Sequence, residues 1–115
     1  MTILVVEDDP TVLAFVERML TLNGHTVLAA EDAVQARFLL TDHGGQPDVL
    51  LVDIVLPGSN GLDLARAAKA DYPTLKILFM TGLLHQSPKA LRSGLGPVLH
   101  KPFTSDTLLK ALKGL

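Results

Sequence analysis

Two hydrophobic periods alternate along the chain. Short unbroken aliphatic runs, the mark of strands covered on both faces, take turns with segments whose apolar residues recur at helical spacing. Ile3-Leu4-Val5-Val6 predicts a first strand. Pro10, suited to the first turn of a helix, opens a segment in which Val12, Val16, Met19 and Leu20 share a face, and Asn23-Gly24 closes it. His25–Ala29 predicts a second strand. Glu31–Thr41 predicts a second helix with Val34, Phe38 and Leu39 turned inward, broken by Gly44-Gly45-Gln46-Pro47. Val49–Val52 is the clearest buried strand, and it runs straight into Asp53. Pro57-Gly58-Ser59-Asn60-Gly61 predicts a loop. A third helix follows over residues 61–70, with Leu62, Ala65 and Ala68 on one side, and Pro73 blocks its extension. Leu75–Met80 predicts a fourth strand ending at Thr81-Gly82. Residues 83–96 hold Pro88, Gly94 and Gly96, so any helix there is short and weak. Val98–His100 predicts a brief fifth strand, and Thr104 or Ser105 caps a last helix carrying Leu108, Leu112 and Leu115.

Five strands alternating with five helical patterns predict an α/β domain, doubly wound, with a parallel sheet covered on both faces. The 115 residues, 48% hydrophobic, suit one domain over 1–115. No cysteine is present, which excludes disulfides, thiol catalysis and cysteine-ligated metals. A net charge of −2 gives no general basic field for nucleic acid. Four phenylalanines, one tyrosine and no tryptophan leave little for a base-stacking surface. No apolar run is long enough to span a membrane, and Glu7-Asp8-Asp9 directly after the first strand is unlike a signal peptide. The expected location is cytoplasmic.

In such folds ligands bind beyond the carboxyl ends of the strands. There the sequence places Glu7, Asp8 and Asp9 after strand one, Asp53 after strand three, Thr81 after strand four and Lys101-Pro102 after strand five. Clustered carboxylates repel one another, and a hard divalent cation such as Mg²⁺ relieves that repulsion. A carboxylate can also act as nucleophile on phosphorus, and phosphoryl transfer needs mostly positioning and charge neutralisation. The set matches phosphoryl acceptance on Asp53. Each residue alone has a plainer reading: acids as helix caps, Thr81-Gly82 as a turn, Lys101 as a solvated lysine. Ile54-Val55-Leu56 is poor turn sequence, which favours a functional Asp53. Asp9 reads as a helix-start residue. The histidines at 25, 43, 85 and 100 have no metal spacing and read as structural or exposed.

ILVVEDDP at 3–10, VLLVDIVLPGSNGLDL at 49–64, ILFMTG at 77–82 and HKPF at 100–103 resemble the signatures of response regulator receiver domains, the CheY-like family. The resemblance covers essentially the whole chain, in the right order and spacing. It implies a flavodoxin-like sheet of order 2-1-3-4-5. It implies Asp53 as phosphoacceptor, with Glu7 and Asp8 holding Mg²⁺ together with Asp53 and the Val55 backbone carbonyl. Thr81 would contact the phosphoryl group, and Lys101 would pair with it, or with Asp53 beforehand. The Lys101–Pro102 peptide would be cis. The implied partners are a sensor histidine kinase or histidine phosphotransfer protein as donor and a downstream protein as reader. No direct contact with nucleic acid and no membrane are expected, and the expected state is monomer or phosphorylation-dependent dimer. The chain holds no basic helix–turn–helix segment, so output through a partner is expected.

Two departures follow from the resemblance. The family places an aromatic three residues before the lysine, and here Val98 stands there. Positions two beyond the acceptor and two beyond the threonine are Val55 and Leu83, neither able to hold a hydrolytic water, so self-dephosphorylation is expected to be slow. Three other readings compete. An aspartyl-phosphate phosphatase needs a second acid where Val55 stands. A flavodoxin-type carrier would have its phosphate repelled by Glu7-Asp8-Asp9. A receiver-like module could bind partners without phosphorylation, although every expected site residue is present.

Overall fold

The computed structural model describes residues 1–42, 46–83 and 87–115. The strands β1 (Thr2–Val6), β2 (Thr26–Ala30), β3 (Val49–Asp53), β4 (Lys76–Thr81) and β5 (Val98–His100) form one sheet in the order β2-β1-β3-β4-β5. Every pairing in it is parallel. The helices are α1 (Pro10–Leu22), α2 (Ala33–Asp42), α3 (Gly61–Asp71), α4 (Ser87–Arg92) and α5 (Ser105–Lys113). A small antiparallel hairpin pairs Val55–Leu56 with Ser59–Asn60.

The unbroken apolar runs are explained by alternation across a doubly covered sheet. Leu4, Val6, Leu50, Val52, Ile77 and Phe79 face one side, under α2, α3 and Ala90 of α4. Ile3, Val5, Val49, Leu51, Leu78 and Met80 face the other, under Val16 and Leu20 of α1 and Leu108 and Leu112 of α5. Helix starts follow capping chemistry. The Asp9 side chain accepts from the backbone N–H groups of Thr11 and Val12 to start α1, as expected of it, and Asn60 does the same for α3 through Leu62. Thr104, one of the two candidates, caps α5. Helix α4 is short, as the sequence implied.

Helix α2 corrects the sequence reading. It starts at Ala33, not Glu31, because the Asp32 carboxylate accepts from the Gln35 N–H at 2.8 Å and sets the first turn there. Its inward face is Ala33, Ala36 and Leu40, with Leu39 half-buried. Val34 and Phe38 are 76% and 62% exposed, so both belong to the outer face. Helical spacing alone selected the larger apolar residues, whereas close packing on the sheet selects the small ones. Strand β2 begins one residue late, because the His25 N–H still donates to the Leu20 carbonyl at the end of α1. The expected breaker Gly44-Gly45, and His43 and His85, lie outside the described residues.

Candidate functional site

The parallel sheet brings the carboxyl ends of β1, β3, β4 and β5 to one edge. The Glu7 N–H donates to the Ala30 carbonyl and extends the β1–β2 ladder by one residue. That fixes Glu7 inside, fully buried, while Asp8 emerges to solvent. Asp53, the last residue of β3, is 4% exposed. Thr81 ends β4 and is buried. The Lys101 N–H donates to the Thr81 carbonyl at 2.8 Å, and the cis Lys101–Pro102 peptide follows.

Lys101 Nζ lies 2.6 Å from Glu7 Oε1 and 2.6 Å from Asp53 Oδ2. One ammonium therefore serves two carboxylates. Asp53 Oδ1 accepts from the Val55 N–H at 2.9 Å, so both oxygens of that carboxylate are held. Burial pushes the Glu7 carboxyl up from 4.5 to about 7. The Asp53 side chain adds to the rise, and Lys101 works against it. Burial alone would lower the Lys101 ammonium, but its bonds to Asp53 and Glu7 outweigh that and raise it above 10.5.

Asp8, Asp53, Val55, Thr81, Leu83 and Lys101 line one cleft of about 310 Å³. The sequence-predicted residues are thus brought together. The Thr81 hydroxyl accepts from the Leu83 N–H at 3.0 Å, so it bonds within its own loop rather than to Asp53. Oxygen atoms from Glu7, Asp8 and Asp53 lie within 4.8 Å of one another. This set of hard oxygen donors, with no sulfur or imidazole, fits Mg²⁺.

Two features escaped sequence reasoning. His100 is the register partner of Thr81, and its Nε2 meets the Ser87 hydroxyl at 2.5 Å, tying α4 to β5. Nothing at positions 87 and 100 signalled this pairing, which the docking of α4 on β5 creates. The second is the closeness of Gly61 to Asp53, where Gly61 is only the last residue of a turn-rich run in the sequence. Val98, half-buried, packs on the α2–α3 side of the sheet.

An acidic cleft with a half-buried lysine, at the carboxyl edge of a doubly wound parallel sheet, defines a class of α/β proteins that handle phosphate or metal at that edge. The chain matches the response regulator receiver domain family over residues 3–113. It is 34% identical to response regulator MprA of Mycobacterium ulcerans over 98% of this chain and 49% of that one. It superimposes on a response regulator receiver domain protein from Clostridium thermocellum with a TM-score of 0.88 at 28% identity, covering 98% of this chain and 91% of the other. Response regulator TrrA from Thermotoga maritima, solved in complex with Mg²⁺ and BeF, gives 0.85 at 26% identity over 98% and 96%. The chain belongs to the response regulator receiver domains, the phosphorylation-based switches of two-component signalling. Members act as phosphoacceptors rather than classical enzymes, bind Mg²⁺ and interact with histidine kinases. The chain spans about half the length of the curated relatives it matches. No described helix is long and apolar enough to cross a membrane.

Proposed function

We propose that Asp53 is the phosphoacceptor, receiving a phosphoryl group from a phosphohistidine of a sensor kinase or phosphotransfer protein in the cytoplasm. The observation that carries this is the Asp53 carboxylate. It stands at the end of the central strand, aimed into the acidic cleft, with Val55 N–H on one oxygen and Lys101 on the other. In the transfer, a carboxylate oxygen forms a bond to phosphorus, the nitrogen–phosphorus bond breaks, and the imidazole nitrogen leaves with the electron pair. Lys101 is placed to pair with a phosphoryl oxygen once it exchanges away from Asp53. Glu7, Asp8, Asp53 and the Val55 carbonyl would hold Mg²⁺. Bound there, the ion supplies charge neutralisation for the carboxylates and the phosphoryl oxygens.

The Thr81 hydroxyl, exchanging its Leu83 partner for a phosphoryl oxygen, would move its loop and bias a two-state equilibrium read by a downstream protein. Val55 and Leu83, each more than two-fifths exposed at the mouth of the cleft, present only apolar groups to an attacking water. Slow self-dephosphorylation follows. Incubation with Mg²⁺ and acetyl phosphate tests the assignment by intact mass. One added phosphoryl group is expected on the wild type and none on Asp53→Asn. Equal behaviour of the two proteins would overturn it. A phosphoryl half-life of seconds would contradict the slow turnover.

A further inference from the structure

We infer that Gly61 is a positioning residue for the phosphoacceptor. Its missing side chain lets the start of α3 stand against the main chain of Asp53, and this fixes where the Asp53 carboxylate points. A Cβ on Gly61 would lie 1.9 Å from the Asp53 carbonyl oxygen, 2.8 Å from its carbonyl carbon and 2.9 Å from Ile54 Cα. All three are backbone atoms, which cannot swing aside as the tip of a side chain can. The Gly61 N–H also donates to the Ile54 carbonyl at 2.7 Å, so the approach is a bonded contact.

The loop that this contact closes is the one that orients the carboxylate. Between Asp53 and Gly61 the chain turns back on itself, with Val55 opposite Asn60. The Val55 N–H thereby reaches Asp53 Oδ1 at 2.9 Å, leaving Oδ2 to Lys101. On the other side, the Ile54 N–H donates to the Met80 carbonyl at 3.0 Å and anchors the same stretch to β4. A side chain at 61 must therefore move α3 off Asp53 or Asp53 off the sheet. Real Cβ contacts stay beyond 3.0 Å, so the shift needed is about 1 Å. A displacement of that size at a reacting group costs on the order of 100-fold in rate.

The fold supplies its own control. A Cβ on Gly96 would lie 1.9 Å from the Ile77 carbonyl oxygen and 2.8 Å from its carbon, the same collision. Ile77 is near the start of β4, however, on the order of 13 Å from Thr81 by strand rise. Gly96→Ala thus reports what such a clash costs the fold without touching the acceptor.

This inference rests on the reading of Asp53 as acceptor. The experiment follows adduct formation with Mg²⁺ and acetyl phosphate for the wild type, Gly61→Ala and Gly96→Ala. The rate is expressed per folded molecule, with the folded fraction taken from circular dichroism. In the reaction an Asp53 oxygen bonds to phosphorus and acetate leaves with the electron pair of the broken phosphorus–oxygen bond. Gly61→Ala is expected to be slower by about 100-fold. Gly96→Ala is expected to stay within about threefold of wild type. Gly61→Ala at wild-type rate, or Gly96→Ala slowed equally, would overturn the positioning role. Should Gly61→Ala not fold, Asn60→Ala decides, since it removes the side chain that accepts from the Leu62 N–H and holds the start of α3 against Asp53. About tenfold slower phosphorylation supports the inference, and an unchanged rate overturns it. A wild type that takes no phosphoryl group would overturn the acceptor assignment itself, and the positioning role with it.

Discussion

Replacing Glu7 by glutamine is expected to stabilise the fold at mildly alkaline pH while weakening divalent-cation binding. Glu7 is fully buried, and its cationic partner among the described residues is the Lys101 ammonium that Asp53 shares. Burial first, and Asp53 second, push its carboxyl from 4.5 up to about 7. The folded state thus keeps a proton that the unfolded chain releases above pH 4.5. The stability this gives is complete below 4.5 and is lost as pH rises through 7. At about 1.4 kcal/mol per unit, that interval is worth roughly 3 kcal/mol. Glutamine stays neutral and still accepts from Lys101, and the value of about 7 already counts what the charged carboxylate gains from that ammonium. The net gain at pH 8 is therefore about 3 kcal/mol. Urea denaturation of both proteins at pH 5 and pH 8, in chelator, measures it, and taking the difference removes every group the two share. Mg²⁺ at about 100 times its dissociation constant should restore about 3 kcal/mol to the wild type and little to Glu7→Gln. A variant less stable than wild type at pH 8, or one with the wild-type dependence on pH, would refute the reasoning.

Other expectations reach different parts of the molecule. Phe38→Ser should change stability by no more than about 0.5 kcal/mol in urea, because the ring sits on the outer face of α2. Phe79→Ala, in the sealed core, should cost about 3–5 kcal/mol, and equal costs would contradict the assigned face of α2. Ser87→Ala removes the hydroxyl that meets His100, so amide exchange at Ala90–Arg92 should speed up about fivefold, as loss of one hydrogen bond implies. Unchanged exchange would show that this bond does not hold α4. Leu83→Asn places a water-holding amide at the cleft mouth and should shorten the phosphoryl lifetime several-fold, whereas an unaltered lifetime would remove Leu83 from the control of hydrolysis.

The strand layout was legible because both faces of this sheet are buried, so Ile3–Val6 and Val49–Val52 read as unbroken apolar runs ending in acids. Strand ends point to Glu7, Asp8, Asp53, Thr81 and Lys101, since parallel strands bring their carboxyl ends to one edge. Helix α2 was misread for a physical reason. Periodicity weighs hydrophobic size, whereas Ala33 and Ala36 are inward because small residues let the helix approach the sheet. The sharing of Lys101 between Glu7 and Asp53 was only half legible, because the sequence shows charges and not which of them loses its water. The Ser87–His100 bond and the contact of Gly61 with Asp53 depend on how elements dock, and no local pattern encodes either.

Reductive trapping reads out which aspartate carries the phosphoryl group. The protein is phosphorylated with acetyl phosphate and Mg²⁺, and the acyl phosphate is reduced with borohydride. Peptide mass mapping then locates the aspartate converted to homoserine. Conversion is expected at position 53 and at neither Asp8 nor Asp9. Conversion at either of those, or at no aspartate in a protein shown to be folded, would contradict the assignment of Asp53.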